Sequence, residues 1–129
     1  MRAKILFLAT TLEVSHAIAA MLDSNDFDVT RTDDSRHAAA LLRANHFDLL
    51  VVEVKTARDD EGLGLLRHVK GTAPQLGGRI VAISGDPTAH VQRELDAIGI
   101  CEIVLKPVHE DDILAAVNEC LDRTPATVH

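Results

Sequence analysis

A parallel α/β sheet with helices on both faces is the fold class that this sequence predicts. Three observations predict it. Short apolar runs alternate with helical patterns five times along the chain. The central runs are continuous rather than alternating, as strands covered on both faces require. The length of 129 residues suits one compact domain with a single core.

The elements follow in order. Ile5-Leu6-Phe7-Leu8 is an uninterrupted apolar run and reads as a central strand. A helix follows it, with Val14, Ile18, Met21 and Leu22 on one face and Thr11 as a plausible N-cap. Phe27-Asp28-Val29-Thr30 alternates apolar and polar residues, as an edge strand would. The second helix runs over residues 35–45, capped by Asp34 or Ser35, with Ala38, Ala39, Leu41 and Leu42 buried. Leu49 to Glu53 is the third strand. A polar loop over residues 55–61 leads to a third helix carrying Leu63, Leu66 and Val69. Gly71, Pro74, Gly77 and Gly78 then break the chain. Ile80 to Ser84 is the fourth strand. Asp86-Pro87 opens a fourth helix, with Val91, Leu95 and Ile98 inward and Gly99 at its end. Glu102 to Leu105 is the fifth strand. The last helix covers residues 110–121, with Ile113, Val117, Cys120 and Leu121 inward.

Alternation of this kind makes βαβ units, and right-handed crossovers place helices on both faces of the sheet. A (βα)5 chain of this size is most simply a flavodoxin-like, doubly wound, three-layer sandwich with strand order 2-1-3-4-5. One domain spans residues 1–123, and residues 124–129 form a short flexible tail. Ligands of such sheets sit beyond the carboxyl ends of the strands. That rule selects Ala9, Thr10, Glu53, Ser84 and Lys106.

Composition narrows the function classes. Asp and Glu outnumber Lys and Arg by 20 to 13, for a net charge of -7. An acidic domain without a basic cluster is a poor ligand for nucleic acid or for an anionic membrane surface. No apolar run approaches the roughly 20 residues that span a bilayer. The N-terminus runs straight into a strand without a signal-peptide pattern, so the expected location is cytoplasmic. Cys101 and Cys120 have no metal-ligand spacing and read as reduced packing cysteines. Antiparallel packing of the fifth strand and last helix would nevertheless bring them to one end of the domain. The seven histidines show no HxH or HExxH grouping, and no metal is assigned to them.

The motifs converge on one family. Phe47-Asp48-Leu49-Leu50-Val51-Val52-Glu53 is a buried strand ending in a carboxylate. Downstream stand Gly62-Leu63-Gly64-Leu65-Leu66-Arg67, Ile80-Val81-Ala82-Ile83-Ser84-Gly85 and Leu105-Lys106-Pro107. In that order and spacing they resemble the receiver domain of two-component response regulators, from Lys4 to about Leu121.

The resemblance implies roles for single positions. Glu53 stands at the phosphoacceptor position, where the family has Asp. Ser84 matches the hydroxyl that bonds the phosphoryl group, and Lys106 matches the family lysine. Pro107 matches a proline whose preceding bond is usually cis. Ala9 and Thr10 stand where the metal-binding carboxylates belong, and neither carries a charge. Lys55 matches the position whose backbone carbonyl reaches the metal. Ile103 replaces the Tyr or Phe of the switch. The loop after Glu53 is one residue longer than usual, with Ala57 where proline is common.

Charge counting follows from these replacements. The family pocket has three carboxylates and one Lys, a negative surplus that Mg²⁺ offsets. Here Glu53 and Lys106 balance to zero, and Mg²⁺ binding is expected to be lost. The extra methylene of Glu53 carries its carboxylate about 1.5 Å further out than Asp would. The expectation is a pseudo-receiver: not an enzyme, without cofactor, held in one state by a Glu53–Lys106 pair and acting through protein partners. The resemblance implies a contact through the face of the fourth helix, fifth strand and fifth helix, here with His90, Arg93, Glu94, Asp96, Ala97, Lys106 and Val108. A homodimer is open on this reading.

Two alternatives stand beside it. One is a conventional, phosphorylated receiver. The other is a phosphate or cofactor binder of flavodoxin type, with Thr10 and Thr11 as a phosphate-binding turn. The sequence has no glycine between Leu8 and Leu22 and no Trp or Tyr to stack on a flavin. Asp59-Asp60-Glu61 reads as a solvated acidic run.

Overall fold

Continuous apolar sequence does become the middle of the sheet. Strands β1 (Lys4–Leu8), β3 (Leu49–Val54) and β4 (Ile80–Ser84) are buried along almost their whole length. The edge strands β2 (Asp28–Thr32) and β5 (Glu102–Leu105) are only partly so. All five are parallel, in the order β2-β1-β3-β4-β5. This is the predicted topology. The chain is described by a computed structural model at residues 2–9, 12–54, 64–66, 76, 79–85, 93, 97 and 102–122, with backbone alone for 12–14.

Strand alternation divides the core in two. Leu6, Leu8, Leu50, Val52, Val54, Ile80 and Ala82 face helix α2 (Ser35–Ala44) and helical residues Leu65 and Leu66. Ile5, Phe7, Leu49, Val51, Val81, Ile83 and Val104 face α1 (Leu12–Ser24) and the C-terminal helix α3 (Glu110–Asp122). A period of two along each strand produces both clusters from one sheet.

Local signals fix the boundaries. Asp34 is the N-cap of α2, and its carboxylate accepts the Arg36 N–H at 2.8 Å. Asp48 ties the start of β1 to β3. Its Oδ2 accepts the Lys4 N–H at 2.8 Å, while its own N–H donates to the Lys4 carbonyl at 2.8 Å. The Lys4 N–H bond to Oδ2, helped by His46, holds the Asp48 carboxyl below its ordinary range.

Several expectations need amendment. Ala39, Leu41 and Leu121 pack against the core but are only partly buried, and Leu65 and Ala116 join the buried set. Cys120 is buried and disulfide-bonded, not reduced as its sequence context implied. Helix α3 packs back against β5, which carries Cys120 toward the start of that strand. Cys101 lies outside the described residues, as do Thr11, Leu63, Val69, the loop 55–61, most of the fourth helix and the tail 124–129.

Candidate functional site

The site lies at the carboxyl ends of β3, β4 and β5. Glu53 shares the parity of Leu49 and Val51 but stands one residue before the strand ends. It is 1% exposed and pairs with buried Ile83 of β4. Burying an isolated carboxylate is costly, so it needs a charge partner. Lys106 supplies one. Its Nζ lies 2.5 Å from Glu53 Oε2. The Glu53 side chain is fully buried, and that of Lys106 is 27% exposed.

Strand register explains how residues 53 positions apart in sequence meet. Glu53 pairs with Ile83, Val54 with Ser84, and Ser84 with Leu105. Lys106 is the next residue after β5, and its N–H donates to the Ser84 carbonyl at 3.0 Å. That bond fixes the root of the lysine beside the end of β4. Gly85 then gives its stem room. A Cβ at Gly85 would stand 3.3 Å from Lys106 Cδ, tighter than ordinary contact. The Lys106–Pro107 peptide bond is cis, as the resemblance implied.

The remaining site positions divide as follows. Ser84 is buried at the end of β4. Ala9 is buried at the end of β1, with its N–H donating to the Thr32 carbonyl at 3.0 Å, and it presents only a methyl group. Ile103 is partly buried in mid-β5 opposite Ala82, packed against the α2-side cluster. Thr10 and Lys55 lie outside the described residues. Of the expected contact face, Arg93 and Ala97 are exposed, Lys106 and Val108 are half-buried, and His90, Glu94 and Asp96 lie outside the described residues.

Two members of this region escape sequence reasoning. Gly85 reads there only as the end of an apolar run. Leu105 reads as an ordinary strand residue, yet it is 50% exposed, the large exposed apolar side chain of the described residues. The edge position of β5 in the predicted order is a signal for it, since edge strands are covered on fewer sides.

A Mg²⁺ ion prefers several oxygen ligands. Ala9 has none to give, and the Glu53 carboxylate is already engaged by an ammonium group. Among the described residues no group of three or more His, Cys, Asp or Glu side chains could hold a metal. Among the described residues the donor set does not fit the ion. No helix among the described residues is long and apolar enough to cross a membrane.

Comparison with known proteins gives the family. The model of the response regulator receiver domain matches residues 10–118. The fold is similar to that of chemotaxis protein CheY4 of Vibrio cholerae, with 18% identity, TM-score 0.83, and 93% of this chain and 99% of that one covered. It is also similar to a CheY-like receiver domain protein from Methanospirillum hungatei JF-1, with 20% identity, TM-score 0.84, and 95% of each chain covered. A response regulator from Thermotoga maritima has 19% identity and TM-score 0.81, over 95% of this chain and 100% of that one. No match is found among curated proteins. With the sheet order, the Lys106–Pro107 corner and the strand-end site in place, this chain belongs to the response regulator receiver domains of two-component signalling.

Proposed function

We propose that this receiver is a pseudo-receiver, which works through protein contacts without accepting a phosphoryl group. The observation that carries the reading is the Glu53–Lys106 ion pair. A receiver that is phosphorylated needs an Asp nucleophile, a metal to neutralise charge, and a lysine free to approach the incoming phosphoryl group. Here the carboxylate at that position is a Glu, it is buried, and the lysine is bound to it. Ala9 supplies no metal ligand.

In this reading Glu53 and Lys106 hold the ends of β3 and β5 in one arrangement. The domain catalyses nothing, needs no Mg²⁺ and stays in the cytoplasm. Its output is a fixed surface rather than a switched one. The surface beside β5 is the natural contact, because Leu105 leaves an apolar side chain half in water next to Lys106, and Arg93 and Ala97 of the expected face are exposed as well. Receiver domains commonly act by contacting protein partners, and an apolar centre with a polar rim is the usual build of such contacts.

The test is phosphorylation by acetyl phosphate with Mg²⁺, followed by intact-mass spectrometry. The expected result is an unmodified mass with wild-type protein. A phosphorylated species that disappears on replacing Glu53 with Gln would overturn the reading in favour of a conventional receiver. Glu53→Gln should also weaken partner binding, because it removes the charge that holds Lys106; unchanged affinity would sink the locked state.

A further inference from the structure

A groove of about 440 Å³ lies on the opposite side of the sheet from α1 and α3, between α2 and helical residues 64–66. It is lined by Ser35, Arg36, Ala39, Arg43, Gly64 and Leu65. Among the described residues none of the Glu53–Lys106 site or of β5 contributes to it, so the groove stands apart from whether the domain accepts a phosphoryl group.

Three features give the groove a chemical character. Arg36, Ala39 and Arg43 are spaced by three and four residues, so they form one stripe along α2. The two arginines are exposed and stand two helical turns apart, about 10.5 Å along the axis. Among the described residues neither guanidinium has an ion-pair partner. The domain carries a net charge of -7, so two unneutralised arginines on one helix face run against its composition. The floor is apolar, made by half-buried Ala39 and by Leu65, which is 2% exposed.

Gly64 is the third feature. Glycine is the poorest helix former after proline. A Cβ at Gly64 would meet nothing within 4 Å, and its φ is not left-handed. Neither crowding nor backbone conformation therefore requires glycine there. What its missing side chain does is leave the wall of the groove open above Leu65.

We infer that this groove docks an acidic amphipathic helix of a partner protein. Two carboxylates seven residues apart on that helix would pair with Arg36 and Arg43. An aliphatic residue three or four positions after the first would lie between them, over Ala39 and Leu65 and past Gly64. Arg–carboxylate pairs are bidentate and give register, while the apolar anchor gives affinity. Nucleic acid is disfavoured, because the floor is apolar and the domain's overall charge repels phosphates. A second copy of this chain is disfavoured as well. Its exposed Asp112, Ala115 and Glu119 on α3 have the matching spacing, but Ala115 would leave the apolar floor unfilled.

The probe is a fluorescein-labelled helical peptide of about 18 residues, long enough to keep helicity. It carries Glu at two positions seven apart and Leu between them, and is titrated with the whole domain at low salt. The expected result is saturable anisotropy, with amide shifts confined to α2, Gly64 and Leu65. Arg43→Glu should weaken binding at least tenfold. Gly64→Leu should abolish it while leaving the domain folded, since leucine is a better helix former and its Cβ meets no atom there. Binding of a Lys-for-Glu peptide equal to that of the Glu peptide would overturn the inference, as would no saturable shift at millimolar peptide. Self-association lost on Arg43→Glu would also overturn it, by making a second copy the occupant.

Discussion

Replacing Lys106 with Met takes the Lys106 ammonium group away from the fully buried Glu53 carboxylate. Two opposite charges about 4 Å apart, centre to centre, attract by roughly 4 kcal/mol at an effective dielectric near 20. Removing one partner of a buried ion pair costs about 3–5 kcal/mol, because the other charge remains desolvated. Lys106 is 27% exposed, which places the expected loss near the lower figure, about 3 kcal/mol. For a domain of this size that is a fall in Tm of roughly 10–15 °C. The chain has neither Trp nor Tyr, so urea unfolding is followed by far-UV circular dichroism. The double variant Glu53→Leu/Lys106→Met should recover most of the loss, since apolar replacement of a buried pair is often neutral or stabilising. A Lys106→Met protein within about 1 kcal/mol of wild type would refute the argument, because loss of the ammonium group from a buried ion pair cannot be that cheap.

Glu53→Asp should draw the carboxylate back by about 1.5 Å and cost about 1–2 kcal/mol of the same pair, read from the urea midpoint. Asp48→Asn should flatten the acid limb of the stability curve. The folded-state carboxyl of Asp48 sits below its ordinary value of 3.8, so its contribution is present above that value and lost as pH falls through the lowered one. Wild type and variant should therefore converge at the acid end, and a parallel offset at all pH values would contradict the assignment. Asp34→Ala should cost about 1 kcal/mol by leaving the Arg36 N–H without its cap, with no effect on the Glu53 site.

The sheet was legible because its strands are written as unbroken apolar runs, and Leu49–Val54 and Ile80–Ser84 are buried throughout. The Glu53–Lys106 pairing was legible too, since topology alone sends both residues to neighbouring strand ends and one charge of each sign stands there. Neighbour-dependent facts were not. The stem of Lys106 passes close to Gly85, and nothing in the local sequence marks that approach. Leu105 looks like any apolar strand residue until the edge leaves it half in water. The disulfide at Cys120 depends on a three-dimensional distance that spacing cannot supply. The arginines of α2 vanish into a negative total, because composition sums charges that the helix segregates by face.

The measurement that tests the central claim most directly is an amide NMR titration with Mg²⁺, then with beryllofluoride as phosphoryl mimic. The reporters are Glu53, Ser84, Gly85 and Lys106. Because the carboxylate is held by Lys106 and Ala9 offers no ligand, these peaks should stay in place at millimolar metal and mimic. Saturable shifts at those residues, with Mg²⁺ required for the mimic to bind, would contradict the pseudo-receiver and restore a phosphorylated receiver.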